Sequence, residues 1–239
     1  MNSNSQEFWF PGSWLGGISL ILAPPLLLAG VLLRIQVHFF FPEQLEAYEV
    51  HPLLMKWSYQ LFLGGNILLW PGIMALVHHI GQSKSAWAAW GGIMVIFGLF
   101  ARTFHSGVDH LAFQLVEIHD VEMAVSTVGK SYGAFHVASM FNLFILLGWI
   151  VLALGAYLSG TLDVFRSIAL AMMSMLMLGV LKGSSIVSVV ATTGLCIALV
   201  PFGLKVLQKT YQPTFGTVVR WISYIIALFI LLYFLAQAG

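Results

Sequence analysis

The stretch FARTFHSGVDHLAF, residues 100–113, sets Arg102, His105, Asp109 and His110 at the end of a long uncharged run. Imidazole is the commonest side-chain ligand of transition metals and an axial ligand of haem. A carboxylate four residues from a histidine meets it on one helix face and can fix the tautomer of a ligating ring. His105 and Asp109 have that spacing. At about 100° per residue, Arg102, His105, Ser106 and Asp109 share one stripe, and His110 falls off it.

Groups of the same kind recur close by. Arg34 and His38 stand four apart, HPLLMKWSYQ puts His51 ahead of Lys56, Tyr59 and Gln60, and KSYGAFHVASMFN carries His136 and Ser139. A metal centre would draw on His105, Asp109 and His136. A haem or other cofactor would use some of His51, His105, His110 and His136. Arg102 and Lys56 would balance propionate or substrate charge. Tyr59, Gln60, Asn66, Ser106 and Ser139 would line the pocket.

Plainer readings stand beside these. His38 and His119 suit interfacial positions satisfied by water or backbone. Glu43, Glu46 and Glu49, with Phe, Leu and Tyr between them, read as a short amphipathic helix on a membrane surface. His105, Asp109 and His136 lie too deep to stay unpaired, so the alternative to ligation is hydrogen bonding between helices. The methionines of SIALAMMSMLML read as packing rather than copper ligands. Ser184, Ser188, Thr192 and Cys196 recur every fourth residue as a small-residue contact face.

The elements that position these groups follow from composition. Of 239 residues, 59% are hydrophobic and 8% charged, and the mean hydropathy is +0.92. Soluble domains carry about 25% charged residues, so the chain is expected to be an all-α, polytopic integral membrane protein. A crossing needs about 20 apolar residues. That rule predicts one seven-helix domain over 1–239, with spans at about 14–37, 52–78, 87–113, 131–158, 165–181, 185–207 and 218–236. The N-terminal MNSNSQEFWFPGSW has no cationic leader region, so the first span is expected to be retained. Lys and Arg favour a cell-membrane orientation with the N-terminus cytoplasmic and the C-terminus outside.

Whatever the orientation, the first and third loops must share a face. With their flanking helix ends they hold seven of the nine acids and six of the eight histidines. A net charge of +1 and one cysteine, Cys196, exclude a nucleic-acid surface, a disulfide framework and a CxxC site. His78-His79 belongs at the opposite face, about 30 Å from His105, which disfavours a diiron histidine-box enzyme. That pair is expected to cap last-turn carbonyls. The last segment lacks the lysine of a retinal Schiff base, and VLKGSS lacks the G-x4-G-K frame of a phosphate loop. The last three segments read as structural.

The expectation is a haem or transition-metal site in the first four helices, serving redox or metal-handling chemistry. A transporter or receptor- or immunity-type protein with a polar pocket and no catalysis is the alternative. A metal-dependent intramembrane hydrolase, with Ser106 or Ser139 available, is a third. The partners expected are the lipid bilayer and a small molecule or metal.

Overall fold

A computed structural model describes residues 9–131, 137–176, 179–210 and 214–238. Among them every regular element is helical. The helices are α1 (Ser13–Leu33), α2 (Phe41–Val50), α3 (Pro52–Gly81), α4 (Ser85–Ile118), α5 (Val121–Ser131), α6 (Val137–Met140), α7 (Asn142–Leu158), α8 (Val164–Ala171), α9 (Ile186–Gln208) and α10 (Phe215–Ala238). Five of them, α1, α3, α4, α9 and α10, are long and apolar enough to cross a membrane. The chain divides into two units, Met1–Gln208 and Lys209–Gly239. The second carries α10, a 24-residue helix with one charged residue, Arg220.

Within the first unit the long helices pack antiparallel through glycines. Gly91 and Gly98 on α4 stand seven apart, as do Gly148 and Gly155 on α7. Gly91 lies against Leu152, Gly98 against Ile145, Gly148 against Val95 and Gly155 against Trp87. A sevenfold period on both partners brings small residues back to one seam, where backbones can approach closely. At Gly98 an added Cβ would fall inside the Ile145 side chain. The α1–α3 contact is closed by Gly30, where a Cβ would lie 2.6 Å from the Ser58 carbonyl oxygen. There the Ser58 hydroxyl donates to the Gly30 carbonyl at 2.7 Å. Leu20, Leu27, Leu69, Ile73, Leu99, Trp149 and Leu199 fill the core between these helices.

The outward faces of these helices stay apolar. Leu22, Ile67, Phe97, Leu147 and Leu154 are all exposed. A water-soluble monomer seldom exposes a continuous apolar surface, so these faces suit lipid.

Three expectations need adjusting. The apolar run over 131–158 is interrupted. It comprises the end of α5, the single turn α6, a turn at Phe141 and the 17-residue α7. The glutamate-bearing stretch after the first span does form a helix, α2. Its Gln44, Leu45 and Tyr48 are buried against the protein, so α2 lids the bundle as well as facing outward. The largest change concerns 165–181. There α8 holds eight residues, continues as a 3-10 turn over Met172–Met175, and ends as Leu176 turns extended. At 1.5 and 2.0 Å per residue those twelve residues cover about 20 Å, short of a bilayer core of about 30 Å.

The chain nevertheless travels from one end of the bundle to the other. It leaves the end where Gly155 meets Trp87 and Ile80. By Gly183 it has reached the α1–α2 connection, where the Gly183 N–H donates to the Phe39 carbonyl at 2.9 Å. Between Leu176 and α9 this path is irregular among the described residues, with Gly179 at φ 138° and Leu181 at φ 50°. A leucine in the left-handed region costs about 1–2 kcal/mol. Leu181 is held there by burial among Leu45, Tyr48, Met55 and Phe113.

Candidate functional site

An irregular segment inside a protein must find hydrogen-bond partners for its backbone. α4 supplies them. The Arg102 guanidinium donates through Nη2 to the Leu176 carbonyl at 2.8 Å, where the helical hydrogen bonds run out. Seven residues further along α4, the Asp109 carboxylate accepts from the Leu181 N–H at 2.5 Å. Two turns of one helix thus serve a carbonyl and an N–H of the neighbouring strand of chain. The stripe read from the sequence, Arg102–His105–Ser106–Asp109, is the face that does this.

A cavity of about 40 Å³ lies between α4 and the irregular segment. Val31 and Arg34 at the end of α1 line it, as do Tyr59 and Phe62 from α3 and Arg102, His105, Ser106 and Asp109 from α4. Leu176, Gly179, Lys182, Gly183 and Ser184 close it from the irregular segment, and Ser188 from α9. Arg34, Arg102, His105 and Asp109 are each at most 6% exposed. The Arg34 guanidinium lies 4.4 Å from the Tyr59 ring centre and 5.0 Å from that of Phe62, and donates to the Ser58 hydroxyl at 3.3 Å. Its Nε has no hydrogen-bond partner among the described residues, and neither has the buried Ser184 hydroxyl.

A second, wider pocket of about 320 Å³ adjoins the first and shares Tyr59, Ser106 and Asp109 with it. Its lining is more apolar, with Leu53, Trp57, Leu63 and Phe113, and it holds Lys56, Gln60 and His110. Above it Glu117 gathers a polar cluster. Its Oε1 accepts from Tyr48 at 2.5 Å and from Lys56 at 2.7 Å, and its Oε2 from Gln114 at 3.2 Å. Burial, and then the bond to Glu117, push the Tyr48 phenol above its ordinary value. Gln44 links α2 to both regions, donating to the His38 carbonyl and accepting from Tyr59 at 3.0 Å.

The expected site residues are therefore divided. His105, Asp109, Arg102, Ser106 and Tyr59 line the buried cavity. Lys56, Gln60 and His110 belong to the neighbouring pocket. His51 is exposed at the turn between α2 and α3. Asn66 lies deeper, fastening α3 to α4 by donating to the Leu99 carbonyl and the Thr103 hydroxyl at 3.1 and 2.9 Å. Ser106 donates to the Arg102 carbonyl of its own helix at 3.1 Å. His136 and the Ser139 side chain lie outside the described residues. Among the described residues no three His, Cys, Asp or Glu side chains converge as a metal-ligand set.

At the other end of the bundle His78 stacks on Trp9, with ring centres 4.1 Å apart, and His79 meets Phe202 edge-on. Ring packing, rather than carbonyl capping alone, occupies that pair. His38 pairs with Glu43 at 3.3 Å.

Arg34, Lys182, Ser184 and Ser188 are the cavity residues that sequence reasoning did not assign. Ser184 and Ser188 read as a helix contact face, Arg34 as the partner of His38 at the end of the first span, and Lys182 lies between the predicted spans 165–181 and 185–207. The signal available was one cation and two hydroxyls, Lys182, Ser184 and Ser188, just after a methionine-rich run.

No protein-family model, curated protein or solved structure matches the chain. Function has to be argued from the site itself.

Proposed function

We propose that this is a seven-pass membrane protein that binds a small polar solute in the buried cavity, as a transporter or receptor, without chemistry on it. The observation that carries this reading is the break after Met175. Irregular backbone within a bilayer is tolerated where it is buried in protein or lines a cavity. Unwound segments of this kind build solute sites in transporters, where backbone and side-chain groups are freed to face the ligand. Here Arg102 and Asp109 hold such a segment open beside a polar chamber.

In this reading α1, α3, α4, α7, α9 and α10 are six passes, and α8 with its irregular continuation is the seventh. The short α7 crosses with its ends drawn inward, at about 25 Å for 17 residues. The N-terminus is cytoplasmic and the C-terminus outside, by the distribution of Lys and Arg. The polar chamber then opens toward the outer surface.

A haem or transition-metal centre is the second reading, and the meeting of His105 and Asp109 in one cavity favours it. A chamber of about 40 Å³ has room for roughly two or three waters. It suits a single ion or small solute better than a macrocycle. The test is the absorption spectrum and elemental analysis of the full-length protein purified in detergent, with thermal unfolding in the presence of small solutes. No Soret band, no stoichiometric metal and a saturable solute-dependent rise in the unfolding midpoint are expected. A Soret band or one equivalent of iron, copper or zinc would transfer the site to the second reading.

A further inference from the structure

The polar-solute reading leaves the ligand's chemistry open, and the charges around the chamber narrow it. Three cationic side chains, Arg34, Arg102 and Lys182, line it against one carboxylate, Asp109. The Asp109 oxygen Oδ1 already accepts from the Leu181 N–H. Arg34 is 4% exposed, and none of the ion pairs among the described residues includes it. Its described partners are one hydroxyl and two aromatic rings. Taking a guanidinium out of water with no carboxylate in ion-pair contact is costly, and the cost is recovered when an anion arrives with hydrogen-bond acceptors.

Two further donors are prepared for such acceptors. Arg34 Nε and the Ser184 hydroxyl are both buried and have no hydrogen-bond partner among the described residues, and both residues belong to this lining. They approach from α1 and from the irregular segment, so one ligand between them would tie two separate elements together. We infer that the cavity is a site for a small anion, a carboxylate or inorganic oxyanion, held by Arg34 and Ser184 with Lys182 at its rim. The adjoining apolar pocket opens onto the same wall at Tyr59, Ser106 and Asp109. The anion is therefore either free or the head of a short alkyl chain, and the same chemistry serves both.

This inference rests on the polar-solute reading, and one experiment separates their fates. Thermal unfolding of the full-length protein in detergent is followed as sodium chloride is exchanged, at constant ionic strength, for sodium nitrate, phosphate, acetate or octanoate. At least one of these raises the midpoint saturably. In Arg34→Gln the half-saturating concentration rises at least about tenfold, the scale of one lost charge-assisted hydrogen bond. Lys182→Gln, at the half-buried rim, gives a smaller rise and serves if Arg34→Gln does not fold. Octanoate acting at lower concentration than acetate assigns the pocket to the chain-bearing source, and equal potency to the free anion. A midpoint that responds to potassium-for-sodium exchange or to a neutral solute, but to none of the anions, overturns the inference and leaves the solute reading in place. A midpoint that responds to no solute overturns both. An anion response unchanged in the two variants also overturns the inference.

Discussion

Asp109 has a task that can be isolated, because its carboxylate faces one identified backbone N–H. Replacing it with leucine leaves the Leu181 N–H buried without an acceptor. Stability in detergent should fall by about 1–3 kcal/mol, the usual cost of stranding a buried donor. Asp109→Asn keeps an acceptor oxygen and should lose less than half as much, measured by thermal unfolding of the two variants side by side. Tyr48 offers a pH signature away from the long apolar helices. The folded chain holds the Tyr48 proton more tightly than the unfolded chain does. That stabilisation is complete below the ordinary phenol value and is lost as pH rises through the raised one. Tyr48→Phe should therefore flatten the alkaline decline in melting temperature. Equal slopes in the two proteins would remove Tyr48 from that account.

Among the helices, the glycine seam of α4 and α7 sets two opposed effects against each other. Alanine gains about 0.5–1 kcal/mol over glycine inside a helix, and overpacking costs about 1–3 kcal/mol. At Gly98 the added methyl collides with Ile145, whereas at Gly107 nothing lies within 4 Å. Gly98→Ala should destabilise and Gly107→Ala should stabilise, compared by unfolding midpoint. The long helices were legible in the sequence because sustained apolar length is a local property. The end of α8 was not, since LAMMSMLML has the same hydropathy whether it continues as helix or breaks. The backbone beyond the break is met by Arg102, at the Leu176 carbonyl, and by Asp109, at the Leu181 N–H, each more than seventy residues away in the chain. The sequence did mark those two, by their depth and by a spacing that puts them on one helix face. It could not pair them with Leu176 and Leu181, because backbone partners carry no sequence signal. Ser184 and Ser188 were lost for a related reason, since hydroxyls at every fourth position fit packing as well as a cavity wall. The histidines misled in part. His51 and His110 sit at the expected end of the bundle, but an exposed turn and an off-stripe position keep them out of the buried chamber.

At the scale of the molecule, the acids and histidines of the first and third connections belong to one end, away from His78 and His79. The contact of α2 with α5 and the Tyr48–Glu117–Lys56 cluster supply the physical reason. The first and third connections close over the bundle together and share their polar groups. In a Cys196→Ser background, single cysteines at Glu46 and Asp120 should react with an impermeant maleimide from the same side of sealed vesicles. Cysteines at Lys84 and Asp163 should react only from the other side. Labelling of Glu46 and Lys84 positions from one side would break the antiparallel arrangement.

The proposed site depends on the docking of Leu176 and Leu181 onto α4. Hydrogen–deuterium exchange of the full-length protein in detergent reads that docking directly, through the peptide that covers residues 176–188. In the wild type this peptide should exchange slowly although its described residues before Ile186 are not helical. In Asp109→Leu it should exchange roughly 5- to 150-fold faster, as the loss of about 1–3 kcal/mol implies, with the peptides of α1 and α3 unchanged. Fast exchange already in the wild type, or equal slow exchange in both proteins, would contradict the account.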